Sequence, residues 1–568
     1  MNNNKYKDQS YGFRYINDLK HMVDSSEEIF GNEPAYMVKD VSGGEYRKIS
    51  YSQFKKDVDA LGTKFLDLGL KGEKIAIIGE NSYKWIVSYL ATTNGTGVVV
   101  PLDKELPIEE ITNLIERAQI SAIVYSSKLE ELVNATLENV DGVKYKIAMD
   151  EDEIRDGQLS LDRLIQEGGR LITQGNRDFI DAKINRDVMC TLLFTSGTTG
   201  LAKGVMLSHK NITANIYNMS KYVKIRGNKV GLSVLPMHHA YELTCHIFTG
   251  IYQGICVAIC EGLKYIQKNM KESQATVMLG VPLVFETMHK KIWKQVEQSG
   301  KKKAFSKLML MSRKLKLYNK QNLIRKMFNQ IHQSTGNHLT LFIAGGAPIN
   351  PQVIEDYQDM GIPMIQGYGM TENAPIIAVN RDYYSKSASV GQPLPGTQVK
   401  IINRNADGIG EIICKGPSVM IGYYNEPEDT EKVIKEGWLY TGDYGHLDED
   451  GFLYVTGRKK NVIISKNGKN IYPEEIEHHL EQSDYIAEVI VFAKSDETKV
   501  DGAVSAEIYP NYEFIEEKLG DIDKEELHRI LKETIEGVNE KMPPYKRVKR
   551  LVIRDTEFEK TTTRKIKR

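Results

Sequence analysis

Short apolar runs alternate with segments of helical spacing along the chain from about residue 50 onward. Residues 74–79 (KIAIIG), 97–101 (GVVVP) and 121–125 (SAIVY) have the composition of strands, and residues 81–93 and 108–118 repeat apolar side chains at helical intervals. The alternation predicts an α/β fold with parallel-rich sheets, in which ligands bind at the carboxyl ends of the strands. Further strand-like runs lie at 190–195, 230–236, 255–260, 276–281, 339–344 and 362–366.

The pattern changes after about residue 396. Short apolar runs at 399–402, 410–414 and 452–455 are separated by Gly, Asn and Asp turns, which predicts a small β subdomain. A charged stretch at 457–461 (GRKKN) then precedes a new α+β pattern. We therefore expect an N-terminal body over residues 1–456 and a smaller C-terminal domain over 461–568.

Composition limits the classes of protein that this chain can represent. Its 568 residues are 41% hydrophobic, which excludes a disordered chain, and 75 basic against 76 acidic residues give a net charge of −1. That balance argues against a nucleic-acid-coating protein. Five cysteines without CxxC spacing predict neither a disulfide framework nor a zinc site. The polar N-terminus and the absence of an apolar run of about 20 residues indicate a cytoplasmic protein without a transmembrane segment.

Residues 195–204 (TSGTTGLAKG) form the strongest chemical signal in the sequence, between two apolar strands. Backbone N–H groups and the side chains of such a loop can surround phosphate oxygens, while Lys203 adds positive charge. The loop is not a Walker A motif, because Gly200 is followed by Leu201. We expect a phosphate-binding loop whose polar and glycine residues are Thr195, Ser196, Gly197, Thr198, Thr199 and Gly200.

This loop resembles the phosphate loop of the adenylate-forming, or AMP-binding, superfamily, which includes acyl-CoA synthetases, luciferases and adenylation domains of peptide synthetases. Four more motifs follow in the family's order, so the resemblance runs from residue 195 to residue 568. It implies a large body and a small, mobile C-terminal cap, with a hinge at 457–460 that pivots at Lys460. The four motifs are GYGMTE (367–372), YTGD (440–443), GR with NGKNIYPEEIE (457–458 and 467–477) and TTTRKIKR (561–568).

The resemblance implies a nucleotide site in which each residue type suits its role. Tyr368 offers a flat face to a purine, and a slim glycine-rich wall lies opposite it. Asp443 can accept hydrogen bonds from both ribose hydroxyls, and Arg458 reinforces that contact. Besides the phosphate loop and Lys203, the implied ATP-binding residues are Gly345, Gly346, Ala347, Gly367, Tyr368, Gly369, Asp443 and Arg458.

By the same resemblance, catalysis uses Thr371, Glu372 and Lys565. Thr371 binds the α-phosphate or the acyl phosphate, and Glu372 holds Mg²⁺, which prefers oxygen ligands. Lys565 is implied to enter the active site from the cap and to stabilise charge during adenylation. The family usually has glycine before this lysine, whereas this chain has Arg564.

The acid-binding pocket is expected after the strands at 230–236, 276–281 and 339–344. LPMHHAYE (235–242) resembles the LPLxH segment of long-chain acyl-CoA synthetases, which places His239 at the family's histidine. No aspartate lies between residues 231 and 350 to hold a substrate ammonium, so an amino acid is disfavoured against a fatty or aromatic acid. The candidate pocket residues are Met237, Val281, Phe285, Gln366 and Asn373.

A basic segment over 290–326 contains 13 Lys or Arg residues and one acid, Glu297. Apolar residues are interleaved with the charges, as in an amphipathic helix that meets anionic lipid. We expect peripheral membrane contact through this segment. A solvated helix that packs on the body, or attraction of coenzyme A phosphates, are the alternatives.

The sequence thus predicts an ATP- and Mg²⁺-dependent long-chain fatty acid:CoA ligase, most like the bacterial enzymes. It would form an acyl-AMP with release of pyrophosphate and then transfer the acyl group to coenzyme A with release of AMP. The expected partners are small molecules, not nucleic acid. The alternatives are an acyl-AMP ligase that loads a separate carrier protein, an aryl-CoA ligase and a nucleotide-binding protein without catalysis.

Overall fold

The α/β prediction is confirmed by the computed structural model, which describes residues 10–138, 140–150, 157–195, 202–225, 229–317, 320–464, 470–496, 499–560, 566 and 568. The chain divides into two compact units. The first comprises Met1–Gln398 and Lys415–Leu439, and the second comprises Val399–Cys414 and Tyr440–Arg568. The second unit therefore includes residues before the expected hinge at 457–460, which stays a prediction.

Helices and strands alternate as the sequence pattern indicated. The helices are α1 (Leu19–Phe30), α2 (Tyr51–Asp67), α3 (Tyr83–Ala91), α4 (Ile108–Ala118), α5 (Glu130–Leu137), α6 (Leu161–Thr173), α7 (His209–Ser220), α8 (Thr249–Gln253), α9 (Ile266–Ser273), α10 (Pro282–Gln298), α11 (Lys302–Lys314), α12 (Gln321–Met327), α13 (Asn329–Ser334), α14 (Pro351–Asp359), α15 (Pro427–Val433), α16 (Pro473–Leu480), α17 (Tyr512–Leu519) and α18 (Lys524–Glu540).

The strands begin near the N-terminus and continue into the second unit. They are β1 (Pro34–Val38), β2 (Arg47–Ser50), β3 (Lys74–Ile78), β4 (Val98–Leu102), β5 (Ala122–Tyr125), β6 (Tyr145–Ala148), β7 (Gln158–Ser160), β8 (Met189–Thr195), β9 (Lys203–Ser208), β10 (Val230–Ser233), β11 (Cys256–Ile259), β12 (Val277–Gly280), β13 (Leu341–Ala344), β14 (Met364–Gly369), β15 (Ile376–Val379), β16 (Gln392–Pro393), β17 (Gln398–Ile402), β18 (Gly410–Lys415), β19 (Gly422–Tyr423), β20 (Ile434–Lys435), β21 (Trp438–Leu447), β22 (Leu453–Arg458), β23 (Ile463–Ile464), β24 (Asn470–Ile471), β25 (Ile486–Asp496), β26 (Lys499–Pro510) and β27 (Arg550–Ile553).

Two sheets form the centre of the first unit. Within the described residues one sheet has the strand order β19-β9-β8-β4-β3-β5-β6-β7, and β3, β4, β5, β6 and β7 pair in parallel. The other has the order β16-β15-β14-β13-β12-β10-β11-β1-β2, with parallel pairs from β14 through β1. The carboxyl ends of the parallel strands are where the sequence places its polar motifs.

Apolar helix faces cover these sheets. In α4, Ile111, Leu114, Ile115 and Ala118 are buried, which is the i, i+3, i+4, i+7 spacing of one helix face. Helix α7 begins with a capping box in which Ser208 and Asn211 satisfy each other's backbone N–H groups. The first unit therefore buries a large apolar core between its sheets and helices.

Two smaller sheets in the second unit correspond to patterns seen in the sequence. Strands β17, β18, β21 and β22 form the small β subdomain, with β21 and β22 antiparallel. Strands β25, β26 and β27 form a separate sheet, whose core includes Ile476 from α16 and Leu531 from α18. Strands β25, β26 and β27 with α16 and α18 have the α+β pattern that the sequence indicated after residue 461.

Candidate active site

The phosphate loop joins β8 to β9, which pair as an antiparallel hairpin. Thr195 and Lys203 are register partners at its end, and the Thr195 hydroxyl donates to the Lys203 carbonyl at 3.4 Å. Ser196, Gly197, Thr198, Thr199 and Gly200, between them, lie outside the described residues. The described part of the hairpin therefore places Thr195 and Lys203 together at the base of the loop.

Lys203 has a carboxylate partner that sequence reasoning missed. Its ammonium lies 2.5 Å from Asp429 Oδ2 and 5.0 Å from the centre of the Tyr423 ring. Lys203 and Lys432 lower the pKa of the Asp429 carboxyl to about 2, so this half-buried carboxylate is charged at neutral pH. A phosphate bound to Lys203 would therefore compete with Asp429 for the ammonium.

Glu372 lies beside the same tyrosine. The Tyr423 hydroxyl donates to Glu372 Oε1 at 2.9 Å, which fixes the direction of the half-buried carboxylate. Burial, followed by the charge of Glu372, raises the pKa of Tyr423, so the hydroxyl stays a donor. Lys203 and Glu372 are far apart in sequence, but both contact Tyr423, a residue for which the sequence carried no separate signal.

The glycine-rich wall and Tyr368 follow neighbouring strands. Gly345, Gly346 and Ala347 follow β13, while Gly367, Tyr368 and Gly369 end β14, and the two strands pair in parallel. A Cβ atom at Gly345 would lie 2.7 Å from Cζ of Tyr241, and Gly346 has φ of +84°, so both positions favour glycine. The structure thus places the wall beside the predicted purine-binding tyrosine.

Thr371 and Asn373 lie on the short 3₁₀ helix after β14, together with Glu372. The Asn373 side chain is buried and donates to the Ile376 carbonyl at 2.8 Å. Asn215 in turn donates to the Asn373 carbonyl. These bonds hold the turn that presents Thr371 and Glu372.

In the second unit, Asp443 on β21 faces Arg458 on β22. Arg458 Nε lies 2.9 Å from Asp443 Oδ1, and the Asp443 side chain is only 5% exposed while that of Arg458 is 46% exposed. Asp443 also donates its backbone N–H to the Thr441 hydroxyl. A buried carboxylate oriented by an accessible arginine can accept hydrogen bonds from a diol.

The expected hinge is held by a carboxylate from α16. Glu474 Oε1 accepts from the Asn461 side-chain amide at 2.5 Å and from the Arg458 backbone N–H at 3.4 Å. Burial, followed by Arg458 and Arg568, lowers the pKa of Lys460. Lys460 therefore lies in a region of the second unit with both basic and acidic neighbours.

Lys565 lies outside the described residues, but its neighbours in sequence are anchored within the second unit. Lys560 pairs with Glu488, and Arg568 pairs with Glu477. Burial raises the pKa of the Glu477 carboxyl to about 7, although Arg568 acts in the opposite direction. Both ends of the segment that contains Lys565 thus have ionic partners.

An apolar cavity lies in the first unit between α7, the 241–253 helix and the strands β12 to β15. Ala344 and Gly367 line one part of it, next in sequence to the predicted nucleotide wall and to Tyr368. The other side chains and backbone that line it are those of Met219, Val223, Ile225, Tyr241, Cys245, His246, Thr249, Gly250, Gln253, Ile255, Val277, Leu279, Ile343, Ile376 and Val379.

One helix stripe runs along this cavity. Tyr241, Cys245, Thr249 and Gln253 follow one another at intervals of four residues, on a π-helical segment (Tyr241–Phe248) that continues into α8. Tyr241 donates to the Ile343 carbonyl at 3.1 Å, close to the glycine wall. The four-residue spacing is visible in the sequence and could have identified this wall.

The stripe ends at Gln253, whose side-chain amide is hydrogen-bonded to other groups of the protein. Its Nε2 donates to the Ser220 hydroxyl and to the Val223 carbonyl, each at 3.0 Å, and its Oε1 accepts from the Ile225 N–H at 3.2 Å. Gln253 is 5% exposed. These bonds tie the helix to the end of α7 and to the loop after it, at the end of the stripe away from Tyr241.

The five predicted pocket residues lie around the cavity but do not line it. Phe285 packs on Phe342 at a ring-centre distance of 4.8 Å, and Gln366 donates to the Ser387 carbonyl at 2.7 Å. Met237 is buried, as is Asn373, and Val281 is the residue before α10. Their predicted contact with an acid stays a prediction.

A buried polar network joins the lining residue His246 to Glu242 and Ser233. Glu242 Oε1 accepts from the Ser233 hydroxyl at 2.6 Å and lies 2.8 Å from His246 Nδ1. A Cβ atom at Gly231 would lie 2.3 Å from His246 Nε2, so the ring occupies the space that the glycine leaves. None of the described residues that line the cavity carries a carboxylate, and Glu242, outside the lining, bonds Ser233 and His246 through Oε1.

The basic segment forms helices α10, α11 and α12 with the loops between them. Leu310, Met311 and Leu315 are 52%, 43% and 62% exposed, among the lysines of α11. Arg313 binds Asp359 at 2.7 Å, which attaches α11 to the body. Across the part of the chain that the structure describes, no helix combines the length and apolar character needed to cross a membrane.

Known protein families and relatives match most of this chain. The AMP-binding enzyme profile matches residues 25–424, and the profile of the AMP-binding enzyme C-terminal domain matches residues 460–568. A long-chain-fatty-acid–CoA ligase of Rattus norvegicus is 30% identical over 457 residues, which span 76% of this chain and 63% of the rat protein. The chain thus covers less than two thirds of that relative's length.

Two further relatives differ in their acceptor or acid. A chloroplastic long-chain-fatty-acid–[acyl-carrier-protein] ligase of Arabidopsis thaliana is 26% identical over 562 residues, covering 85% of this chain and 75% of the relative. The structure of an anthranilate CoA ligase in complex with anthranoyl-AMP superposes with a TM-score of 0.75 at 18% identity, covering 97% of this chain and 96% of the other. At this identity the likeness shows only that the two proteins share a fold.

Proposed function

Because this chain belongs to the AMP-binding enzyme family, we propose that it activates a long-chain fatty acid with ATP and transfers the acyl group to coenzyme A. The observation that carries the proposal is the convergence of Lys203 and Glu372 on Tyr423, in the same unit as a cavity lined mostly by apolar side chains. A phosphate-binding cation, a metal-binding carboxylate and an apolar cleft are the elements that an acid-activating site requires.

In the first step the acid's carboxylate attacks the α-phosphorus of ATP, the acyl–oxygen–phosphorus bond forms and pyrophosphate leaves. Lys203 and Thr195 bind phosphate oxygens, and Thr371 binds the acyl phosphate. Lys565 offsets the negative charge that develops on the α-phosphate. Tyr368 and the Gly345–Ala347 wall hold the purine, while Asp443 and Arg458 bind the ribose.

Glu372 suits Mg²⁺, because its half-buried carboxylate is oriented by Tyr423 and carboxylate oxygens are the ligands this ion prefers. The ion, when bound with ATP, neutralises phosphate charge. The contribution of the protein is to hold this carboxylate on Tyr423, the residue that also contacts Lys203.

In the second step the thiol of coenzyme A attacks the acyl carbonyl, the thioester forms, and AMP leaves while the thiol proton passes to solvent. We propose that residues 461–568 act as a cap that turns about Lys460 between the two steps, with residues 1–456 as the body. Such a movement is of the hinge type. It would withdraw Lys565 after adenylation.

A fatty acid fits the cavity better than an amino acid. The lining is mostly aliphatic, with Tyr241, Cys245, His246, Thr249 and Gln253 as its other side chains, and it includes no carboxylate among the described residues. A substrate ammonium would lose its hydration there without gaining a counter-charge. We therefore propose that the acyl chain binds in this cavity. Its lining does not include the five pocket residues predicted from the sequence.

A carrier protein is the second candidate acceptor, because the relative from Arabidopsis thaliana carries that acceptor in its name. Purified chain incubated with ATP, Mg²⁺ and a fatty acid should form a hydroxylamine-trappable adenylate. Added coenzyme A should then yield acyl-CoA and AMP in equal amounts. If the acyl group were transferred only to an added acyl carrier protein, the acceptor would be the carrier protein and not coenzyme A.

We propose that α11 contacts anionic lipid, the phase into which long-chain acids partition. Exposed Leu310 and Leu315 lie among lysines, and this pairing favours the surface of a negatively charged bilayer. Replacing both leucines by serine should weaken salt-sensitive flotation with phosphatidylserine vesicles. The matched control is Leu519→Ser, at an exposed leucine of the second unit, and equal loss in the control would contradict the proposal.

A further inference from the structure

Asp103, His238 and His239 bring three potential metal-ligand atoms within 4.8 Å of one another in the first unit. Asp103 follows the carboxyl end of β4, and the two histidines follow β10 from the other sheet. The two imidazole rings lie 4.1 Å apart between centres. From these contacts we infer that this cluster binds a divalent first-row transition cation such as Zn²⁺.

The separation between the ligand atoms supports a shared cation more than a direct hydrogen bond. His238 Nε2 lies 3.4 Å from Asp103 Oδ2, whereas a charge-assisted N–H···O bond would be about 2.7–2.9 Å long. Among the described residues, this buried Nε2 makes no hydrogen bond. A tetrahedral ion with bonds of about 2.0–2.1 Å separates its ligands by about 3.3–3.4 Å, which matches the observed distance.

The histidine segment is held in place before any ion binds. Asn81, which follows β3, donates to the Leu235 carbonyl at 2.6 Å and accepts from the Met237 N–H at 2.9 Å. The side chains of Asp103 and His238 are only 12% and 11% exposed. A fixed segment with partly buried ligands lowers the ordering cost of binding a metal.

The chemistry of the donors selects the class of cation. Two imidazoles and one carboxylate suit zinc and its neighbours, whereas Mg²⁺ and Ca²⁺ prefer oxygen ligands. Three protein ligands leave one tetrahedral position for water. This site would be distinct from the proposed Mg²⁺-binding carboxylate at Glu372.

Titration of the full-length protein with Co²⁺, followed by its visible absorption, and with Zn²⁺ by calorimetry tests the inference. We expect one saturable ion per chain with the intense visible bands of tetrahedral Co²⁺. Asp103→Asn and His238→Gln should each lower the affinity by about 100-fold or more, since even outer partners of metal ligands cost 10–100-fold. Thermal melts of the ion-free variants would verify that they fold.

His289 provides the matched control, because its Nε2 also faces a carboxylate, Asp356, but at the hydrogen-bonding distance of 2.9 Å. His289→Gln should bind Co²⁺ as the wild type does. Loss in both cluster variants with the control unchanged supports the site. No saturable binding in the wild type, or binding that survives either cluster substitution, overturns it.

One consequence rests on the proposed function, in which His239 belongs to the acid-binding region. An ion held by His239 would compete with the acid, so Zn²⁺ should inhibit the wild type more strongly than His238→Gln. The Co²⁺ spectrum does not depend on ligase activity. A protein that binds cobalt but activates no acid would therefore refute the proposed function and leave the metal site standing.

Discussion

Replacing Cys245 or Thr249 by leucine tests whether the apolar cavity measures the length of the acyl chain. Both residues line it, on the stripe that runs from Tyr241 beside the glycine wall to Gln253 at the other end. A leucine at either position would fill the cavity at a different depth. The acid's carboxylate is expected near Tyr241, and its methyl end near Gln253.

The size of the effect follows from the helix geometry. Cys245 and Thr249 are four residues apart, which is at most about 6 Å, because an α-helix rises about 1.5 Å per residue and the π-helical segment through Phe248 rises less. A staggered chain of C–C bonds of about 1.5 Å advances about 1.25 Å per carbon, so 6 Å corresponds to about five carbons. Each methylene kept from burial forfeits about 0.8 kcal/mol, or about fourfold in kcat/KM.

The assay is kcat/KM for AMP release over a series of straight-chain fatty acids. Thr249→Leu should shorten the longest acid used well, and Cys245→Leu should shorten it by up to about five carbons more, while acids too short to reach Cys245 keep wild-type values. Cys414→Leu makes the same change at a buried cysteine of the second unit and should leave the profile unchanged. Unchanged profiles in correctly folded Cys245 and Thr249 variants would refute the assignment of the cavity to the acyl chain.

Three other substitutions test separate parts of the account. Lys565→Ala should slow adenylate formation by about 10²–10³-fold, while thioester formation from supplied acyl-adenylate largely survives; equal losses in both half-reactions would contradict the two-step role of the cap. Tyr423→Phe removes a hydrogen bond to the proposed magnesium-binding carboxylate, worth about 1.5–3 kcal/mol, and should raise the Mg²⁺ concentration required for half-maximal rate; an unchanged requirement would count against it. Gly231→Ala should lower the free energy of unfolding, measured by urea denaturation, by about 1–3 kcal/mol, because the new Cβ would lie 2.3 Å from His246 Nε2. The control Gly537→Ala should not lower it, because a Cβ there meets nothing within 4 Å.

Local patterns were sufficient to predict much of the sheet architecture. The predicted helix at 108–118 coincides with α4, and the run at 74–79 contains β3, because burial of one helix face or of a whole central strand imposes a strict apolar pattern. Strands β1 and β2, which extend one sheet at its edge, were not predicted. Their short, mixed composition gives little signal without knowledge of the neighbouring strand.

The candidate site was only partly predictable for a related reason. Motifs located Lys203 and Glu372, but Tyr423, which contacts both, comes from a segment whose pairing with β9 is a tertiary contact. The cavity exists because certain buried side chains leave space between a helix and a sheet. Apolar periodicity in the sequence does not reveal which side chains do so. Only the four-residue spacing from Tyr241 to Gln253 carried some of this information.

The most direct test of the central claim is a stoichiometric measurement with purified chain, ATP, Mg²⁺, coenzyme A and a long-chain fatty acid. The account predicts that, over many turnovers, acyl-CoA, AMP and pyrophosphate form in equal amounts. Acyl-CoA and AMP should require both the acid and coenzyme A, whereas the acid alone should release one pyrophosphate per chain. Formation of ADP and phosphate in their place, or nucleotide turnover that is indifferent to the acid, would contradict it.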